Sequence, residues 1–322
     1  MNTLKVLENL QSKGIISNQQ SAVIESYMAA KPFPVHWELR SVLYLGILLF
    51  GSGLGVIIYE NIDTIGHQAI IALISLVTIS CFFYSYKYRL PFGWQEVKNA
   101  NKFSDYALLL GCTTLLILEG YLQFQYQFFG SKYGIAIFIP TVLFFFCAYR
   151  FDHKGVLSMA ITGLASWLGL TIAPLSVLSK NDFTDLKLII TAIILGICLM
   201  AISWVSETRN LKKHFGFTYL FLGGNLAALA NLTGLFDQDI NIVFFVLGAL
   251  MPAFFIVQSR QSQSLVFLLM GVIYGYIVLT YALLRVLPDS ALGFLGIYYF
   301  LFSSIGVIFF LLNFKKFLGI KK

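Results

Sequence analysis

Glu119 lies inside LLILEGYLQFQYQ, residues 115–127, a run that is otherwise strongly apolar. On a helix, Glu119, Gln123, Tyr126 and Gln127 fall at i, i+4, i+7 and i+8 and form one polar stripe. A carboxyl among hydrocarbon-loving residues can hold a cation or exchange a proton, and such residues mark ion and substrate paths in membranes. With the helix starting near Asp105, a rise of 1.5 Å per residue puts Glu119 about 21 Å in, past the midplane. The acid costs about 2.5–3.5 kcal/mol at a membrane centre, and the apolar residues of the span return roughly 4 kcal/mol, so the segment inserts. The stripe continues inward through Leu116, Leu115, Cys112 and Gly111, which are apolar. Two readings fit this pattern. Either the helix lines an outward-opening, water-filled cavity, or it surfaces early and Glu119 lies among headgroups.

Neighbours for the carboxyl are sought at the same depth. Asn225 follows Gly223 and Gly224 about twelve residues beyond Lys213, which gives it a comparable height. Arg285 ends the ninth apolar run and is the natural counter-charge if the helices meet, while Glu60 and His67 lie near the same surface. The candidate intramembrane polar site is therefore Glu119, Gln123, Asn225 and Arg285. Catalytic signatures are missing: the chain has no HExxH, no GxSxG and no phosphate-cradling glycine loop. His36, His67, His153 and His214 are scattered, and Cys81, Cys112, Cys147 and Cys198 form no CxxC pair. No enzyme activity, catalytic residue, metal site or cofactor is expected.

The elements that hold these residues are set by composition. Hydrophobic residues make up 58% of the 322 and charged residues 11%, against about 25% charged in soluble domains. Ten apolar runs, at roughly 41–60, 67–86, 105–124, 133–149, 155–178, 187–206, 215–234, 240–258, 264–284 and 292–313, are each long enough to cross about 30 Å of hydrocarbon. Their apolar character is continuous rather than alternating, so they read as helices and not barrel strands. The fold expected is all-α, a polytopic membrane bundle of about ten transmembrane helices over residues 37–322.

All but Lys132, Lys180, Lys187 and Arg285 of the 22 lysines and arginines fall on one side of that arrangement. The excess places both termini in the cytoplasm, with Trp37, Trp94 and Trp204 at the inner boundary. The net charge of +7 then calls for no nucleic acid. The bilayer itself, and anionic inner-leaflet lipid in particular, is the expected partner of the basic face.

Residues 1–36 read as a short cytoplasmic helical hairpin. Leu4, Leu7 and Leu10 recur at helical spacing before Gly14, and Ser17 with Gln20 forms a capping box for a second helix ended by Pro32 and Pro34. The segment is too polar for a cleaved signal peptide, so the first span serves as an uncleaved anchor. The hairpin docks on the cytoplasmic face or contacts a protein partner there. LKVLENLQSKGIISNQQ, a proline-containing connector and LGILLFGSGLGVIIYENIDTIG together resemble the start of a bacterial membrane family, that of the amino-terminal domain of unknown function 2157. A tryptophan commonly follows the asparagine of that family's first span, and here Asn61 is followed by Ile62. The resemblance implies a multi-pass inner-membrane protein and no particular activity.

Two functions remain open at this level. One is a small-solute or ion transporter with its cavity at Glu119. The alternative is a non-transporting scaffold or sensor that meets a partner through the hairpin. Pro140, Pro174 and Pro252 interrupt spans four, five and eight, which suits a transporter's broken helices but is also common without transport. Gly51 with Gly55 and Gly271 with Gly275 make GxxxG pairs that permit close helix contact, within the chain or between copies.

Overall fold

The computed structural model describes residues 11, 13, 17, 20, 21, 37–97, 101–130, 132–173, 180, 182–237, 242–286 and 289–318. Residues 1–59 and 60–322 are two compact units. The described helices are α1 (Trp37–Ile65), α2 (His67–Lys87), α3 (Lys102–Tyr126), α4 (Tyr133–Phe151), α5 (Lys154–Ile172), α6 (Leu186–Thr208), α7 (Gly216–Asp237), α8 (Ile242–Ser262), α9 (Leu265–Val286) and α10 (Asp289–Phe317). Each predicted span falls on one of them. A single 3-10 turn, Lys213–Phe215, precedes α7. Helices α2 to α9 are long and apolar enough to cross a membrane, and α1 and α10 contain the apolar stretches Ser41–Ile57 and Gly296–Phe310. The chain is an all-α polytopic membrane bundle. In hydrocarbon every backbone N–H and C=O must be satisfied within the segment, and continuous helices do that.

In the first unit, Ser17 and Gln20 bond reciprocally: the Ser17 amide donates to Gln20 Oε1 at 3.0 Å and the Gln20 amide to Ser17 Oγ at 3.3 Å. This is the capping box read from the sequence. Most of the rest of the predicted hairpin lies outside the described residues. A methyl on Gly53 or Gly55 would meet nothing within 4 Å.

In the second unit, consecutive helices pack most closely as the hairpins α2–α3, α4–α5, α6–α7 and α8–α9. Small residues set how near they come. A Cβ on Gly196 would lie 2.5 Å from the Gly223 carbonyl oxygen, so α6 and α7 touch backbone to backbone. Gly271 and Gly275 face Pro252 and Ile256 of α8, so that GxxxG pair serves packing within the chain. Ile193, Ala227, Phe255, Phe267 and Tyr274 belong to the main buried cluster, contributed by α6 to α9. Polar side chains join helices at intervals, as where Thr78 of α2 donates to Thr114 of α3 at 2.9 Å. The outward surface is apolar: Leu76, Ile79 and Phe83 of α2 are each about two-thirds exposed.

Helices α4 and α8 run through Pro140 and Pro252 without a break. Of predicted span five, 155–178, the described helix covers the part up to Ile172. α5 ends at Ile172 with Ala173 as its cap, because the residue before a proline is disfavoured in the helical region and Pro174 follows. Pro174 itself lies outside the described residues.

Candidate functional site

Glu119 is half-buried on the α3 face turned toward α4 and α5. It lines a cavity of about 530 Å³ together with Gln123 and Gln127 of α3, Tyr133 and Ile137 of α4, and Leu170 of α5. The cavity lies between two hairpins, α2–α3 and α4–α5, at the end where α3 turns into α4. A second hollow of about 610 Å³, lined by Ile137, Leu170, Leu188 and Leu226 among others, lies between α4–α5 and α6–α7. Close packing within hairpins and looser packing between them leaves both spaces.

The polar stripe divides its work. Gln123 is buried, and its side chain finishes the helix: Nε2 donates to the Gly130 carbonyl at 2.8 Å and Oε1 accepts from the Phe129 amide at 2.9 Å. Gln127 caps α3 in the left-handed conformation, with φ 47°. Tyr126 leaves the stripe and sets its ring edge-on to His67. On the neighbouring face of α3, Tyr121 and Gln125 hold the His67 ring at 2.7 and 3.2 Å, tying α2 to α3. Glu119 is the ionisable group left facing the cavity.

The structure brings Glu119 together with Gln123 and places Asn225 and Arg285 elsewhere. Asn225 accepts a hydrogen bond from the Tyr274 hydroxyl at 2.8 Å, and its Nδ2 donates to the Phe221 carbonyl at 2.7 Å, joining α7 to α9. Arg285 donates to the Tyr281 hydroxyl at 3.1 Å and lies over that ring. Among the described residues no hydrogen bond or ion pair joins Glu119 to either.

At the opposite end of the hairpins stands a polar cluster that the sequence reading did not single out. Asp152 caps α4 at φ 60°, in the left-handed conformation. Its Oδ1 accepts from Lys212 Nζ at 2.9 Å and pairs with His214 Nε2, while Oδ2 accepts from the Val97 amide. Lys212 is also left-handed, at φ 51°, and its amide donates to the Trp94 carbonyl at 2.8 Å. Ser206 Oγ donates to the carbonyls of Leu211 and Lys212, and the Lys212 ammonium lies 5.2 Å from the Phe92 ring centre. Three connections, 88–101, 152–153 and 209–215, are thereby fastened to one another. Next to Asp152, His153 caps α5, its Nδ1 accepting from the Val156 amide at 3.1 Å. The available signal was a lone carboxylate in the basic stretch YRFDHKG: an acid surrounded by cations at a helix end is placed to gather them.

Searches of curated proteins and of solved structures found no match. Residues 8–157 match a family model described as predicted membrane protein, and this stretch holds Glu119, Gln123 and Asp152 but neither Lys212 nor Asn225. Over residues 8–157, then, the chain is similar to the DUF2157 family of predicted membrane proteins, the one its amino-terminal motif resembles.

Proposed function

We propose that this chain is a multi-pass protein of the bacterial inner membrane, with both termini cytoplasmic, that admits a small cation or protonatable solute from outside to the Glu119 cavity. The observation that carries this reading is the Glu119 carboxyl on the wall of a space of about 530 Å³ whose other polar residues, Gln123, Gln127 and Tyr133, lie toward the end where α3 turns into α4. A carboxylate there supplies a fixed charge for a cation, or a titratable one for coupling to protons. The orientation rests on the basic residues gathered at the Asp152 end. Reporter fusions after Gln238 and after Ser262 should read outside and inside, and the reverse pair would sink the orientation.

The cavity is tested by thiol labelling. In a chain with its four cysteines replaced, Glu119→Cys should react with a membrane-impermeant reagent added outside, and Leu76→Cys, which faces lipid, should not. Transport is tested in liposomes with a trapped pH dye. An imposed gradient of sodium or potassium should move protons through the wild type and not through Glu119→Gln. A Glu119→Cys variant that resists the reagent, or dye traces that match empty liposomes, would overturn the transport reading.

A second reading, that of a scaffold or sensor, has its own support. The three connections locked around Asp152 make a fixed platform, suited to holding a protein partner. Removing residues 2–30 should then release a co-purifying protein without preventing membrane integration.

A further inference from the structure

An apolar groove of about 510 Å³ runs along the outer side of the second unit between α2 and α4. Ile79 and Phe83 of α2 and Leu143 and Phe146 of α4 form its walls. From Ile79 to Tyr86 it follows two turns of α2, about 10 Å of helix. Walls of this kind suit an acyl chain, and in a membrane they touch one.

What sets this groove apart is its mouth. Arg150 stands where the groove meets a small polar hollow of about 20 Å³ that Arg89, Asp152 and Lys212 also line. Its Nη1 donates to the Leu90 carbonyl at 2.8 Å, which fixes the guanidinium and leaves its remaining N–H groups available. Arg89 is held differently, with its guanidinium carbon 3.4 Å from the centre of the Tyr86 ring at the groove's end. Among the described residues neither arginine has a carboxylate partner. The nearest acid, Asp152, is committed to Lys212, His214 and the Val97 amide. Tyr86 lines this end of the groove, and Tyr86 with Tyr88 and Trp94, near it in the sequence, are 58%, 42% and 54% exposed, as aromatic rings are at the headgroup level.

We infer that this groove is a binding site for one anionic phospholipid, with an acyl chain along Ile79, Phe83 and Phe146 and the phosphate between Arg89 and Arg150. Guanidinium groups meet phosphate oxygens in paired hydrogen bonds, which makes arginine suited to this headgroup. A zwitterionic lipid would bring its own cation to a mouth that already holds two. The positive-inside rule explains why arginines lie at this end of the helices. It does not explain two guanidiniums fixed, one by a backbone carbonyl and one by an aromatic face, at the opening of an apolar channel. Basic pockets between membrane helices hold anionic lipid in this way. This inference does not depend on the Glu119 cavity, which lies toward the other end of α3.

The test is native mass spectrometry of the full chain released from detergent, titrated with phosphatidylglycerol or phosphatidylcholine. The wild type should retain one phosphatidylglycerol at least tenfold more tightly than phosphatidylcholine. Arg89→Gln with Arg150→Gln should abolish that preference, while Arg209→Gln at the same end should keep it. Arg89→Gln alone, at an exposed position, should lower it several-fold and serves if the double variant does not fold. Leu143→Trp fills the groove and should weaken retention of both lipids. Equal retention of the two lipids by the wild type would overturn the site. So would losses in Arg209→Gln as large as in the arginine pair, or a Leu143→Trp variant that binds normally, since lipid would then be reading surface charge alone.

Discussion

Lys212 Nζ and Asp152 Oδ1 are 2.9 Å apart, with side chains only 2% and 4% exposed, and both residues hold left-handed backbones. Two charges withdrawn from water attract strongly but lose their hydration, so such a pair adds little net stability while the removal of one partner is severe. Here the pair also carries the Lys212 amide to Trp94 and the Asp152 carboxylate to Val97. Its consequence is the joining of three loops.

Asp152→Asn should therefore destabilise the folded chain by about 3–5 kcal/mol, since it strands the Lys212 ammonium in a buried place. Lys212→Met should cost less, because His214 and the Val97 amide still serve the carboxylate. The double variant should lose less than the two single losses together. Thermal unfolding in detergent measures all three, and simple additivity would show that the two side chains act separately.

Gly196→Ala should weaken the α6–α7 hairpin. The added methyl would meet the Gly223 oxygen at 2.5 Å and the Ala227 nitrogen at 2.8 Å, and backbone cannot step aside as a side chain can. Overpacking of this kind costs about 1–3 kcal/mol. Gly296→Ala, where nothing lies within 4 Å, is the matched control and should be neutral in the same melting experiment. Equal melting temperatures for the two would mean that α6 and α7 have room to separate.

The spans were legible because hydropathy acts residue by residue along the chain. Predicted 67–86 and 187–206 became His67–Lys87 and Leu186–Thr208. The ends were less so: α10 runs from Asp289 to Phe317, beyond the apolar run at both ends, because helical backbone bonds continue into the polar interface where hydropathy stops. The Glu119 stripe was legible in its helical spacing, but its neighbours were not. Counting from Lys213 gives Asn225 a height and says nothing of its direction, and the α7 face that carries it turns to Tyr274 on α9. Gln123 continued the stripe on paper, yet the Gly130 turn uses its amide. Asp152 was hidden for a different reason. Its burial arises only when Trp94, Val97 and Lys212, far apart in sequence, meet at one end of the hairpins.

His153 should make the fold acid-sensitive. It is 4% exposed, and its neutral Nδ1 accepts the Val156 amide at the start of α5. Burial, against a backbone hydrogen bond at Asp105 that acts the other way, pushes its pKa down to about 4, from an ordinary value near 6.5. Between those values the unfolded chain binds a proton that the folded chain refuses. Stability is thus full above about pH 6.5 and is lost progressively as the pH falls toward 4, by up to about 3 kcal/mol. His153→Asn keeps an oxygen acceptor at a helix start that favours asparagine and cannot titrate. Its melting temperature should fall less than that of the wild type between about pH 7.5 and pH 5, with Asp152 and His214 unchanged in both proteins. An identical fall in the two would move the acid sensitivity away from the α5 cap and onto the Asp152–His214 contact, the other buried histidine pairing at this end of the bundle.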